Sequence, residues 1–194
     1  MCPHRPAERV DAFLYLQVRP GFVEDVVVQL ETARGVRAAV AVIGDWDVLA
    51  ALHAPTLNGI AEAIARDVHR IDGVIRTVTA PVVPGDVLGL AGGGLRRPVP
   101  MQRRGEACFV HVRAAPGAAA DLLESIGELE DVAAVALIAG EYDLIVEVPY
   151  PWEQAARVIV SDILSLDGIA ATRTLVAVPE LQPEEDRDQF SAWR

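Results

Sequence analysis

Cysteine is scarce in this sequence: Cys2 and Cys108 are the only two. They are too few and too far apart for a disulfide framework or a zinc knuckle. Long apolar runs are missing too. Hydrophobic residues make up 52% of the chain, yet no run approaches the roughly 20 residues of a membrane helix. The opening MCPHRPAERV has no apolar core of signal-peptide type, so a cytoplasmic protein with no membrane partner is expected. Positive charge is also short, with 17 basic against 28 acidic residues and a net charge of −11. Non-specific nucleic-acid binding draws its affinity from cations that displace phosphate counterions. Direct nucleic-acid contact is therefore not expected. Arg96, Arg97, Arg103 and Arg104 do cluster, but in a Gly/Pro-rich segment that reads as a solvated linker.

Motifs of known chemistry are equally sparse. There is no nucleophile elbow and no dinucleotide fingerprint, and AGGGLRRP lacks the strand-turn-helix setting a phosphate loop needs. His4, His53, His69 and His111 show no metal-ligand spacing, so neither a metal nor a cofactor is expected. Cys108 reads as a small buried hydrophobe.

What the chain does have is an internal repeat. Pro20-Gly21 recurs as Pro116-Gly117, an offset of 116 − 20 = 96. Gly44 recurs as Gly140, again 140 − 44 = 96. Asp72-Gly73 recurs as Asp167-Gly168, where 167 − 72 = 95, so the second copy is one residue shorter there. The repeat divides the chain into a tail (1–9), copy one (10–84), a Gly/Pro/Arg linker (85–105), copy two (106–181) and a polar tail (182–194).

Both copies carry the same succession of elements. Phe13 to Val18 is a strand by its aromatic and β-branched content. Pro20-Gly21 ends it, and Val23, Val26, Val27 and Leu30 then mark one face of a helix, as Leu122, Leu123 and Ile126 do in copy two. Strands follow at Val36–Ile43 and Val48–Leu52, joined by a hairpin. Leu57, Ile60, Ala61, Ile64 and Val68 line a second helix, matched by Trp152, Ala155, Ala156, Ile159 and Ile163. A last strand runs from Val74 to Val83. The order predicts an α+β fold of tandem ferredoxin-like βαββαβ domains, with two helices on one face of each antiparallel sheet.

The other sheet face is not polar. If Leu14, Leu16 and Val18 face the helices, Phe13, Tyr15 and Gln17 face away, with Phe109, His111 and Arg113 as their counterparts. A sheet with one wet face alternates apolar and polar residues; AAVAVI (38–43) does not. The bare faces are therefore expected to pack sheet against sheet, as in dimeric α/β barrels. Copy one meets either copy two or a second chain.

The hairpin carries the most distinctive residues: Gly44, Asp45, Trp46 and Asp47, and again Gly140, Glu141, Tyr142 and Asp143. The Pro-Gly before the first helix, this Gly-acid-aromatic-Asp hairpin and a closing Thr-x-Thr strand occur in order, twice. In that order they closely resemble the ligand-binding (RAM) domain of the Lrp/AsnC regulators. The resemblance implies a non-enzymatic sensor of an amino acid or related small effector, with domains that dimerise through their sheets. It also implies effector binding between dimers beside the hairpin, and larger rings. The implied ligand-binding positions are the eight hairpin residues together with Thr77, Thr79, Thr172 and Thr174. Expected partners are the effector, further copies of the chain in a dimer or larger oligomer, and full-length Lrp/AsnC-type regulators. The helix-turn-helix of those regulators has no counterpart in the roughly ten residues before the first strand, which agrees with the acidic charge.

Chemically, the hairpin suits a zwitterion: exposed backbone N–H groups for a carboxylate, acids for an ammonium, an aromatic for an apolar side chain. A plainer reading is that Gly and Asp are turn residues and the aromatic is packing. Two other functions stay open. One is an enzyme of the dimeric α/β-barrel type, such as a small monooxygenase or isomerase, with His111 as the one histidine placed to serve. The other is a purely structural assembly module. A single copy of about 75 residues with an apolar open face exposes a patch that soluble monomers rarely tolerate. Copy one expressed alone is expected to dimerise or aggregate, and a well-behaved monomer by light scattering would contradict the face-to-face packing.

Overall fold

The computed structural model describes residues 10–84 and 106–179. The two tails, the 85–105 linker and the last two residues of copy two lie outside the described residues. Copy one consists of β1 (Val10–Val18), α1 (Val23–Thr32), β2 (Val36–Ile43), β3 (Val48–Ala54), α2 (Leu57–Arg66), a 3-10 turn (Val68–Arg70) and β4 (Val74–Pro81). Copy two repeats the order with β5 (Cys108–Ala114), α3 (Ala119–Glu128), β6 (Ala134–Leu137), β7 (Leu144–Val148), α4 (Trp152–Val158), a π turn (Ile159–Ile163) and β8 (Ile169–Ala177). Pro20-Gly21 forms a tight turn with Phe22 N–H donating to Arg19 C=O at 3.1 Å and Gly21 at φ +88°. That is the type II geometry that Pro-Gly favours. The α2 helix starts where Thr56 Oγ1 accepts from Gly59 N–H at 3.1 Å, a side-chain N-cap. No helix among the described residues is long and apolar enough to cross a membrane.

Two helix-facing cores form separately. Leu14, Leu16, Val26, Leu30, Leu52 and Ile60 are buried in copy one, and Val110, Val112, Leu122, Ile126, Val146 and Ile163 in copy two. The structure revises one detail of the helix faces. Leu57 and Trp152 begin their helices on the outer side, at 53% and 49% exposure, and Ala61 is exposed as well. The inward stripe starts one turn later.

The third core lies between the sheets and joins the copies. Phe13, Tyr15, Val42, Leu49 and Ala80 from copy one meet Phe109, Ala136, Ile138, Ile145 and Leu175 from copy two. The two sheets are also continuous. The strand order is β4-β1-β3-β2-β8-β5-β7-β6, with β2 joined to β8 through Val42↔Ala177 and Ile43↔Val176. The remaining edges meet at the Val82↔Ile138 bridge, where Ala139 N–H donates to Pro81 C=O at 2.8 Å. The eight strands thus close into an antiparallel barrel with helices outside. The two junctions match under the repeat, since 138 − 42 = 96 and 177 − 82 = 95. The sheet-to-sheet pairing that the sequence left open between one chain and two takes place within one chain. Association with a second chain through that face is already satisfied internally.

Gly44 shows why its position is restricted. It sits at φ +150°, and a Cβ there would lie 2.5 Å from Leu175 Cδ2 on β8. At Gly140 a Cβ would reach only Ala80 Cβ, at 3.8 Å. Gly44→Ala is expected to destabilise by about 1–3 kcal/mol through overpacking of the junction, and Gly140→Ala by less than about 0.5 kcal/mol. Chemical denaturation of the two variants checks the contrast.

Candidate functional site at the barrel mouth

Neighbouring strands are antiparallel all round the barrel. Strands β1, β2, β5 and β6 therefore run one way and β3, β4, β7 and β8 the other. Both Gly-acid-aromatic-Asp hairpins consequently sit at the same end, where β2 and β6 finish. The described segments begin and end at residues 10, 84, 106 and 179, all at the opposite end.

Each hairpin residue has a distinct job. Asp47 Oδ2 accepts from Val18 N–H at 2.8 Å, and Asp143 Oδ2 from Ala114 N–H at 2.8 Å. Both receive an N–H where the register shifts at the end of β1 or β5, so the carboxylates satisfy donors that the bulges take out of the ladder. The preceding acids point to cations. Asp45 pairs with Arg173 of the other copy at 2.6 Å, and Glu141 with Arg113 at 3.2 Å. The aromatics turn inward and carry guanidinium groups on their outer faces. Arg76 lies 5.4 Å from the Trp46 ring centre, and Arg113 lies 5.4 Å from that of Tyr142.

Beneath them the rings make a row. Trp46 touches Tyr15 (centroids 5.8 Å), Tyr15 touches His111 (5.2 Å) and His111 touches Tyr142 (5.3 Å). Tyr15 and His111 are repeat-equivalent, 96 residues apart, and joined by a 2.8 Å hydrogen bond between the Tyr15 hydroxyl and His111 Nε2. Burial pulls the His111 pKa down to about 4, against smaller opposing effects of a backbone hydrogen bond to Arg173 and the charge of Asp45. The imidazole is thus neutral at pH 7. The ring's polar contacts are the Tyr15 hydroxyl and the Arg173 backbone. Burial first, and the Tyr142 phenol second, raise the Tyr15 pKa. The mouth therefore has a neutral, polar floor under a charged rim.

The closing-strand threonines lie elsewhere. Thr77 and Thr79 pair with Leu16 and Leu14, and Thr172 and Thr174 with Val112 and Val110, all residues of the helix-facing cores. Thr77 hydrogen-bonds His69 at 3.0 Å. The side chains of these four therefore lie on the helix-facing side of the sheet, although the Thr174 backbone oxygen runs close to Gly44. Sequence reasoning missed Arg76, Arg113 and Arg173 as rim residues. Strand alternation was the available signal: Arg113 shares a face with His111, and Arg76 and Arg173 alternate with the threonines.

Other features offer less. Cys108 is fully buried and its thiol is pushed up to about 11 by burial, which leaves it an inert apolar side chain. No group of His, Cys, Asp and Glu among the described residues could hold a metal ion. Two outer clefts of about 510 and 530 Å³ flank Arg34, Arg66 and Asp67. Arg34 follows the end of α1 and Arg66 closes the last turn of α2, where cations complement helix C-termini. Between the sheets, the void beside Phe13, Phe109 and Glu147 is about 10 Å³.

The Lrp/AsnC ligand binding domain model matches the chain twice, at residues 11–84 and 107–186. No curated protein sequence matches. Among solved structures, a Thermus thermophilus protein is 35% identical over 40% of this chain and 98% of its own, with a TM-score of 0.37. The siroheme decarboxylase NirDL, in complex with an iron-uroporphyrin III analogue, covers 88% of this chain and 71% of its own at 11% identity, with a TM-score of 0.62. A putative monooxygenase from Lactobacillus acidophilus NCFM covers 88% and 93% at 7% identity, with a TM-score of 0.51. The last two are likenesses of fold across both copies.

His111 predicts an acid response. Its unfolded pKa of 6.5 exceeds the folded value of about 4. Between those pH values the unfolded chain binds the proton more, so stability falls as pH drops through the window, by on the order of 3 kcal/mol. Tyr15, Tyr142, Asp45 and Arg173 are the groups around it. Denaturant titration at pH 7 and pH 4.5 should show His111→Phe losing much less stability on acidification than the parent, and equal losses would contradict the assignment.

Proposed function

Because the chain belongs to the Lrp/AsnC ligand-binding domain family, whose domain it carries twice, we propose that it is a non-enzymatic regulatory protein of the cytoplasm. In this reading it binds an amino acid or a related small metabolite at the barrel mouth. The observation that carries the reading is the rim itself, where Asp45 pairs with Arg173 and Glu141 with Arg113, and Arg76 and Arg113 lie over the Trp46 and Tyr142 rings. A zwitterion needs both signs of charge side by side, and such a rim offers them. The partners are 47–74% exposed, and ion pairs of that kind are worth only about 0–1 kcal/mol, so an incoming ligand can open them at little cost.

The small void beside Phe13, Phe109 and Glu147, about 10 Å³, supports binding at the rim over turnover at that place between the sheets. The internal pairing of the sheets also bears on partners. Further copies of the chain, or full-length Lrp/AsnC-type regulators, would be met through the outer surface and not through the sheets. An effector that grips both hairpins would stiffen the two copies against each other, and that stiffening is the signal such partners would read.

A thermal-shift screen of the pure chain against the twenty amino acids tests this. A ligand at 100 times its dissociation constant stabilises by roughly 2.7 kcal/mol. A hit is expected, and the shift should shrink sharply in Arg173→Gln and Arg113→Gln. Asp47 and Asp143 are unsuitable for this purpose, because removing either carboxylate strands a backbone donor. No shift with any amino acid or close metabolite would overturn the reading in favour of a structural module.

A further inference from the structure

We propose that the two hairpins form one composite site that takes a single acidic amino acid per chain. The inference rests on the effector reading above and adds ligand class and stoichiometry. Convergence of both hairpins on one barrel end makes a shared site possible. Divergence between the copies makes it specific. Arg76 stands where copy two has Ala171 (171 − 76 = 95), and Arg173 where copy one has Val78 (173 − 78 = 95). Arg113 stands where copy one has Gln17 (113 − 17 = 96). No rim cation is duplicated. Two equivalent sites would each keep the same cation; here each copy supplies what the other lacks, and the set is complete only when pooled.

Charge then selects the ligand. Three rim arginines face two free acids, Asp45 and Glu141, because Asp47 and Asp143 are held by backbone N–H groups. The surplus is local, in a chain with a net charge of −11 whose 17 cations include no lysine. Arg76 makes no ion pair among the described residues, and its guanidinium rests on Trp46. A stacked guanidinium keeps its planar fork of donors free for a carboxylate. Neutral His111 and Tyr15 add no charge of their own. A neutral amino acid would answer one arginine and one acid. A second carboxylate answers the remaining positive charge, with the ammonium on Asp45 or Glu141. Arg173, reaching Asp45 across the junction, ties the ligand to both copies.

Isothermal titration of the full chain with L-glutamate and L-aspartate, each against its amide, tests the proposal. One ligand per chain is expected, with the acid bound at least tenfold more tightly than the amide. Arg76→Gln should cut that preference at least tenfold while its ligand-free melting temperature stays near the parent's. Acid and amide binding alike, or an undiminished preference in Arg76→Gln, would overturn the ligand class and leave the effector reading standing. Two ligands per chain would overturn the composite site. Binding of a neutral amino acid alone would also reject the acidic class, and so would no binding by any of the four, whereas the effector reading falls only if the full thermal-shift panel is also silent.

Discussion

Each sheet in this molecule has two apolar faces and helices enough to cover only one. Everything else follows from that constraint. Leaving Phe13, Tyr15, Leu49, Phe109, Ile145 and Leu175 in water would forfeit roughly 1.5–3 kcal/mol for each large side chain, a loss that a domain of ordinary marginal stability cannot absorb. Duplication supplies the second sheet within the same chain. Once the sheets face each other, β2 reaches β8 through two residue pairs and the β4 and β6 edges meet at one bridge, which closes the barrel and shortens its free edges.

Closure also decides where chemistry can occur. The alternating strand directions place both hairpins at one end, and the described chain ends at the other. The charged side chains gather on the rim: Asp45, Glu141 and the three arginines, with the aromatic rings beneath them. Tyr15, His111 and Glu147 are polar groups among the buried residues. A buried hydroxyl and imidazole without partners would each cost free energy; placed opposite each other at repeat-equivalent positions, they satisfy one another.

Much of this was legible beforehand. Period-two and period-3.6 patterns placed the strands and helices, and the missing polar face of AAVAVI pointed to sheet-on-sheet packing. The hairpin motif marked the region of the rim. Its fourth residue has a structural duty that composition does not show: Asp47 and Asp143 each accept a backbone N–H at a local bulge. The threonines pair with residues of the helix-facing cores. Belonging to the same motif says nothing about which side of a strand a residue faces. Arg76 and Arg173 sit one position from those threonines and so on the opposite, mouth-lining face.

By itself the sequence determined the repeat, the βαββαβ order and the face of each strand, because these depend on local periodicity and on turn residues such as Pro20-Gly21. Only the tertiary structure decided that copy one pairs with copy two of the same chain, that both hairpins share one mouth, and that Arg173 reaches Asp45 across 128 residues of sequence. Those outcomes depend on which apolar face meets which, and on the strand directions that barrel closure imposes. No local window of residues contains that information.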